Sequence, residues 1–118
     1  MNDNATTVAE LREIVRRFVD ERAWQKFHTP KNISMSLAIE AAELMEHFQW
    51  LDVEQSRQLA RDPRKLQQVG EELADVVCYS LALANALGLD VATIVADKMR
   101  KNAAKYPADE FRGRFGRE

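Results

Sequence analysis

From Leu73 to Leu89 the chain carries apolar residues on nearly every side of a helix, and the stretch is entered through the acids Glu71 and Glu72 and interrupted by Asp75. A helix that is apolar all round has to be covered all round. The whole chain has 118 residues, the length of one domain, so few other elements are available to supply that cover. Either a second copy of the chain completes it, or this is the central helix of a monomer.

The remaining pattern is helical as well. Thr7-Val8-Ala9-Glu10 has the form of a capping box and leads into Leu11, Ile14, Val15, Phe18 and Val19 at helical spacing. Trp24 to Asn32, with aromatics, His28 and Pro30, reads as a connection into a second helix from about Asn32 to Phe48. Asp52 can cap a short helix through Ala60, and Asp62-Pro63 supplies a cap with Pro at the first helical position for a third long helix reaching about Ala86, with Gly88 as its stop. Asp90 caps a fourth that ends before Tyr106-Pro107. No segment alternates convincingly with period two, and glycine is confined to Gly70, Gly88 and the tail, so β-sheet and glycine-rich phosphate loops have no support. The expectation is a single all-α domain over residues 1–118, with short connections and antiparallel neighbours as in a bundle.

Composition excludes several classes. Apolar residues at 46% and charged residues at 31% describe a globular chain. There is no run of about 18 apolar residues to span a membrane, and Met1 to Asn4 lead into a charged amphipathic segment, so a cytoplasmic protein with no membrane partner is expected. Cys78 is the only cysteine, which rules out a disulfide framework or a cysteine-rich zinc site; among Val76, Val77 and Tyr79 it reads as a small core residue. A net charge of −2 gives no reason to expect a nucleic-acid partner. From Lys98 to Glu118 seven basic residues face three acidic ones; this end, flexible from about residue 109, is either a solvated tail or a phosphate-facing surface.

The acids carry the chemical argument. Glu40-Ala41-Ala42-Glu43 and Glu72-Leu73-Ala74-Asp75 each place two carboxylates at i and i+3, on one side of a helix. Their neighbours are apolar, and no Lys or Arg lies between Asn32 and Leu51 or between Gln67 and Val95. Crowded carboxylates without a local cation are costly, and an all-oxygen cluster suits a hard ion such as Mg2+, with Mn2+ as a substitute, rather than Zn2+. A carboxylate-bridged di-iron site would need Glu-x-x-His, but Gln25 precedes His28 by three and Leu44 precedes His47 by three. Glu46 and Glu71 are read as exposed or supporting acids.

A hard cation held by acids commonly works on phosphates. Lys98 and Asn102, one turn apart, could take phosphate oxygens, with Lys105 close behind; taken alone, Lys98 reads as a surface lysine. Trp24, Phe27, His28, Phe48, Trp50 and Tyr79 offer faces for a nucleobase, against which stands plain packing, the preferred reading for Phe27 and Phe48.

Taken in order, these residues resemble a known family. The strings Glu40-Ala41-Ala42-Glu43-Leu44 and Glu71-Glu72-Leu73-Ala74-Asp75-Val76, with Trp24-Gln25-Lys26-Phe27-His28, Phe48-Gln49-Trp50, Tyr79 and Lys98-Met99-x-x-Asn102, are similar to the MazG-like all-α nucleoside triphosphate pyrophosphatases, in particular the dCTP pyrophosphatase branch. The resemblance implies a four-helix bundle assembled as a homodimer or homotetramer. It implies Mg2+ on Glu40, Glu43, Glu72 and Asp75, and cleavage between the α and β phosphates to a monophosphate and pyrophosphate, in a nucleotide-sanitising role. Trp24, His28, Trp50 and Tyr79 would then form the base and sugar pocket, with Lys98 and Asn102 on the phosphates. Asp52 to Lys65 departs from the eukaryotic dCTP enzymes, which leaves dUTP or another non-canonical nucleotide as an alternative substrate. A non-catalytic helical interaction module is the alternative from another class.

Overall fold

The computed structural model describes residues 1–114. Every regular element among the described residues is helical: α1 (Val8–Glu21), α2 (Pro30–Glu46), α3 (Val53–Gln58), a 3-10 turn (Leu59–Arg61), α4 (Pro63–Leu87), α5 (Val91–Lys105) and α6 (Ala108–Phe111). No single helix among them is long and apolar enough to cross a membrane. Of the tail expected over residues 109–118, positions 115–118 lie outside the described residues, and α6 occupies its start.

Side-chain caps account for most of the starts. Thr7 accepts from the Glu10 amide at 3.1 Å while the Glu10 carboxylate accepts from the Thr7 amide at 3.1 Å, a complete capping box. Asp62 accepts from the amides of Arg64 and Lys65 at 3.1 and 3.3 Å, Pro63 follows at the first helical position, and Asp90 accepts from the Thr93 amide at 3.1 Å. Gly88 ends α4 at φ 66, a left-handed conformation that strains any residue with a Cβ. The second helix differs from the reading at both ends. Thr29 accepts from the Asn32 amide at 3.3 Å and Pro30 takes the first helical position, so α2 begins two residues early; it also ends at Glu46, leaving Phe48 in the following turn.

The chain divides into two compact units, Met1–Gly88 and Leu89 onward. In the first, Ile33 shares a cavity wall with Ala82, Asn85 and Ala86, while Glu40 and Glu43 meet Glu72, so residue numbers on α2 and α4 run in opposite directions. α1 also runs antiparallel to α4: Arg12 bonds Asn85, whereas Phe18 lines a cavity with Cys78 and Asp75. The enclosed core is small, comprising Ile33, Leu81, Ala82 and Ala84 with Leu59 from the 3-10 turn. Large apolar side chains remain outside it, among them Ile39 at 58% exposure and Leu73 at 50%. Cys78, expected in the core, is exposed on α4. In the second unit, α5 carries Ile94, Val95 and Met99 exposed along one groove.

Candidate active site

Glu40 and Glu43 project from α2 one turn apart, Glu72 and Asp75 do the same on α4, and the antiparallel contact of the two helices brings the pairs together. Carboxylate oxygens of Glu40, Glu43 and Glu72 lie within 4.8 Å of one another. Oε2 of Glu40 and Oε2 of Glu72 are buried without a hydrogen-bond donor. Among the described residues no ion pair involves Glu40, Glu43, Glu72 or Asp75. Burial first, then the carboxyls of Glu43, Asp75 and Glu72, push the Glu40 carboxyl up to about 7. Buried oxygens of one sign with no donor in reach are unstable as they stand, and a hard cation is the partner this donor set fits. Asp75 stands at the edge of the cluster and is exposed rather than enclosed, because this part of α4 is left uncovered within the chain.

A cavity of about 280 Å3 opens beside Asp75, lined also by His28, Tyr79 and Cys78 against Ile14 and Phe18 of α1. Burial and the Asp75 charge push the Cys78 thiol up, which makes it a poor nucleophile. Trp24 borders this region through His28, its ring stacked on the imidazole at 6.3 Å and 17° and set edge-on to Phe18 at 5.7 Å. The His28 Nδ1 lies 3.3 Å from the Trp24 carbonyl oxygen. Local backbone sets this up: Ala23 turns the chain at φ 50, and the amides of Phe27 and His28 donate to the Trp24 carbonyl at 2.9 and 3.1 Å.

The other expected residues are placed differently. Trp50 is 87% exposed and follows the far end of α2. His28 precedes α2 and Trp50 follows it, and His28 and Tyr79 line one cavity. Phe27, expected to pack, is exposed. Lys98 and Asn102 lie one turn apart on α5 in the second unit; Lys98 is exposed on a groove with Ile94, Val95 and Met99, and the Asn102 amide faces the Met99 sulfur at 3.8 Å. Sequence reasoning did not single out a second cavity of about 280 Å3, which adjoins the first through shared Val15, Val19, His28 and Ala82 and ends at Arg16, Asp20, Gln25 and Asn85. Its trace in the sequence is the spacing Asp75, Tyr79, Ala82, Asn85, one side of α4.

This all-helical arrangement with facing acid pairs places the chain in a defined class: residues 35–114 match the model of the MazG-like family, and the chain belongs to that family. Among individual proteins, it is 36% identical to dCTP pyrophosphatase 1 of Bos taurus over 107 residues, which is 91% of this chain and 63% of that protein. dCTP pyrophosphatase 1 of Homo sapiens matches at 36% over 102 residues, 86% of this chain and 60% of the human protein. The chain thus spans less than two thirds of the length of these relatives. A crystal structure of a pyrophosphatase from Archaeoglobus fulgidus superposes with a TM-score of 0.76 at 40% identity, covering 91% of this chain and 98% of that one.

Proposed function

We propose that this chain is a Mg2+-dependent nucleoside triphosphate pyrophosphohydrolase that converts dCTP, or a modified dCTP, to the monophosphate and pyrophosphate. The observation that carries this reading is the pair of buried, unpartnered carboxylate oxygens on Glu40 and Glu72 inside the cluster completed by Glu43. Relatives named as pyrophosphatases supply the reaction class. Glu40, Glu43, Glu72 and Asp75 would hold the cation. When bound, such an ion neutralises phosphate oxygens and favours attack of water at phosphorus. The carboxylates position that charge, and one of the two on α2 can accept the proton of the attacking water. His28 and Tyr79 bound the organic part of the substrate, with Ile14 and Phe18 of α1 on the facing side of the cavity. Lys98 and Asn102 are proposed phosphate contacts.

The bundle is proposed to act as a homodimer or homotetramer, for two reasons. Apolar side chains such as Ile39 and Leu73 remain uncovered in one chain, and Trp50 is 87% exposed beyond the end of α2 opposite His28. Trp50 of one copy then stacks on the nucleotide held by the acids of another. Trp50→Ala is expected to raise KM by about tenfold, since base stacking contributes about 1–3 kcal/mol. Mixing Trp50→Ala with Glu43→Gln chains should restore part of the lost affinity at sites that combine one intact cluster with one intact Trp50. An unchanged KM for every nucleotide would remove Trp50 from the site.

The deciding experiment is release of pyrophosphate against orthophosphate from a panel of NTPs, dNTPs and 5-modified dCTPs, with Mg2+ and with EDTA. Pyrophosphate appearing only with metal, highest from dCTP, is the expected result. Mg2+ should also raise the Tm in the absence of nucleotide, because it binds the folded acids and not the unfolded chain. Neither effect in well-folded protein would move the reading to a helical interaction module.

A further inference from the structure

One wall of the cavity beside Asp75 belongs to α1, a helix that apolar packing holds weakly. None of its side chains is enclosed, and Leu11, Ile14 and Phe18 on its apolar side keep between 36% and 48% of their surface exposed. Apolar contact is non-directional, so a stripe this open fixes neither the height of α1 along α4 nor its rotation. Hydrogen bonds are directional and can fix both.

Among the described residues, the side-chain hydrogen bonds between α1 and α4 all converge on Asn85. Its Oδ1 accepts from Arg12 Nε at 2.9 Å and from the Arg16 guanidinium at 3.4 Å, while its Nδ2 donates to the Arg12 carbonyl oxygen at 3.1 Å. The two bonds with Arg12 are partly buried, which strengthens them relative to bonds in open water. One of them ends on the backbone of α1, so it ties the helix itself and not only a long side chain. From this point the antiparallel register leads toward the site. Three residues on along α1 and three back along α4 stand Val15 and Ala82; three more in each lead to Phe18 and Tyr79, and all four line the cavity that Asp75 and His28 share. One residue of slip along α4 would move this wall by about 1.5 Å. The carboxylate cluster is drawn from α2 and α4 alone, so it does not depend on that register.

We propose that Asn85 is a positioning residue: by clamping Arg12 it sets where α1 lies on α4, and with it the shape of the cavity that takes the organic part of the substrate. This rests on the nucleotide pyrophosphohydrolase reading above for the nature of that substrate. The test compares the full chain as wild type, Asn85→Leu and Arg12→Ala. Asn85→Leu keeps the size of the side chain and loses every bond of the clamp; Arg12→Ala loses only the bond from Nε and keeps the one to the backbone carbonyl, so it remains informative if the first variant does not fold. Steady-state pyrophosphate release, the Tm shift on adding Mg2+ and the rate of Cys78 alkylation by iodoacetamide are measured for each. Cys78 is the only cysteine and lines the same cavity, so its rate reports on the α1 wall independently of turnover. In Asn85→Leu, KM should rise by about tenfold, the scale of a lost hydrogen bond, and Cys78 should be alkylated faster, with kcat and the Mg2+ shift unchanged. Arg12→Ala should lie between that variant and wild type. A purely structural role would lower the Tm and, through the folded fraction, kcat, but would leave KM where it was. Wild-type KM and wild-type alkylation in the folded variants would therefore overturn the proposal while leaving the hydrolase reading in place. A lost Mg2+ shift at unchanged KM would also overturn it, by tying Asn85 to the acids and not to the cavity. A folded wild type that releases no pyrophosphate overturns both readings.

Discussion

Glu43→Gln is expected to reduce pyrophosphate release by about a thousandfold or more, since the metal's charge stabilisation of the transition state amounts to several kcal/mol and each 1.36 kcal/mol is a factor of ten. The amide preserves the size and reach of the side chain, so α2 should be unchanged. What disappears is one anionic ligand from a cluster whose oxygens lie within 4.8 Å of each other. Asp75→Asn should behave alike, because Asp75 borders both the cluster and the adjoining cavity. Folding supplies a separate readout. Without metal, the variants should melt no lower than the wild type, since a repelling charge has been removed, and their stabilisation by Mg2+ should be small or absent. Wild-type turnover in either variant would sink the assignment. Lost turnover with an unchanged Mg2+ response would mean that the substituted residue acts on substrate and not on the cation.

Ile33→Ala is expected to cost about 2–5 kcal/mol, the range for truncating a large aliphatic side chain in a packed core. At 2% exposure Ile33 is the most enclosed of the core residues, and it seats the first turns of α2 against Ala82, Asn85 and Ala86 of α4. Few residues share its task, because the enclosed core of the first unit is small. For a chain of this length, a loss of about 3 kcal/mol lowers the Tm by about 10 °C. Thermal and urea unfolding followed by circular dichroism would measure it. A shift below about 2 °C would mean that the α2–α4 contact tolerates a void there and that the core is looser than Ile33 indicates.

Much of the architecture is local and was legible without the structure. Thr7 with Glu10, Asp62 with Pro63, Asp90 and Gly88 act within one helical turn, so their positions announce where α1, α4 and α5 begin and where α4 stops. The start of α2 lies two residues before Asn32, at Thr29-Pro30, where a capping hydroxyl followed by proline is itself a start signal inside what otherwise has the composition of a connection. The acid pairs were also legible, since i and i+3 on a helix share a side whatever the tertiary structure does. Their unpaired state followed from the lack of nearby Lys or Arg.

Tertiary structure decided everything that depends on which ends of which helices meet. The aromatics that share a sequence neighbourhood with α2 flank its two ends, Trp24 and His28 before it and Trp50 after it. Conversely, Arg12 and Asn85 are 73 residues apart in sequence yet hydrogen-bonded, because α1 and α4 run antiparallel and bring them to the same level. By itself, then, the sequence determined the all-helical class, the helix starts with local caps and the two acid pairs, because those properties are complete within one or two turns. Only the packing of α1, α2 and α4 decided that Glu40 and Glu72 hold unpartnered oxygens against each other and that a cavity leads from Asp75 to Asn85, because burial and convergence belong to surfaces in contact and to no single segment.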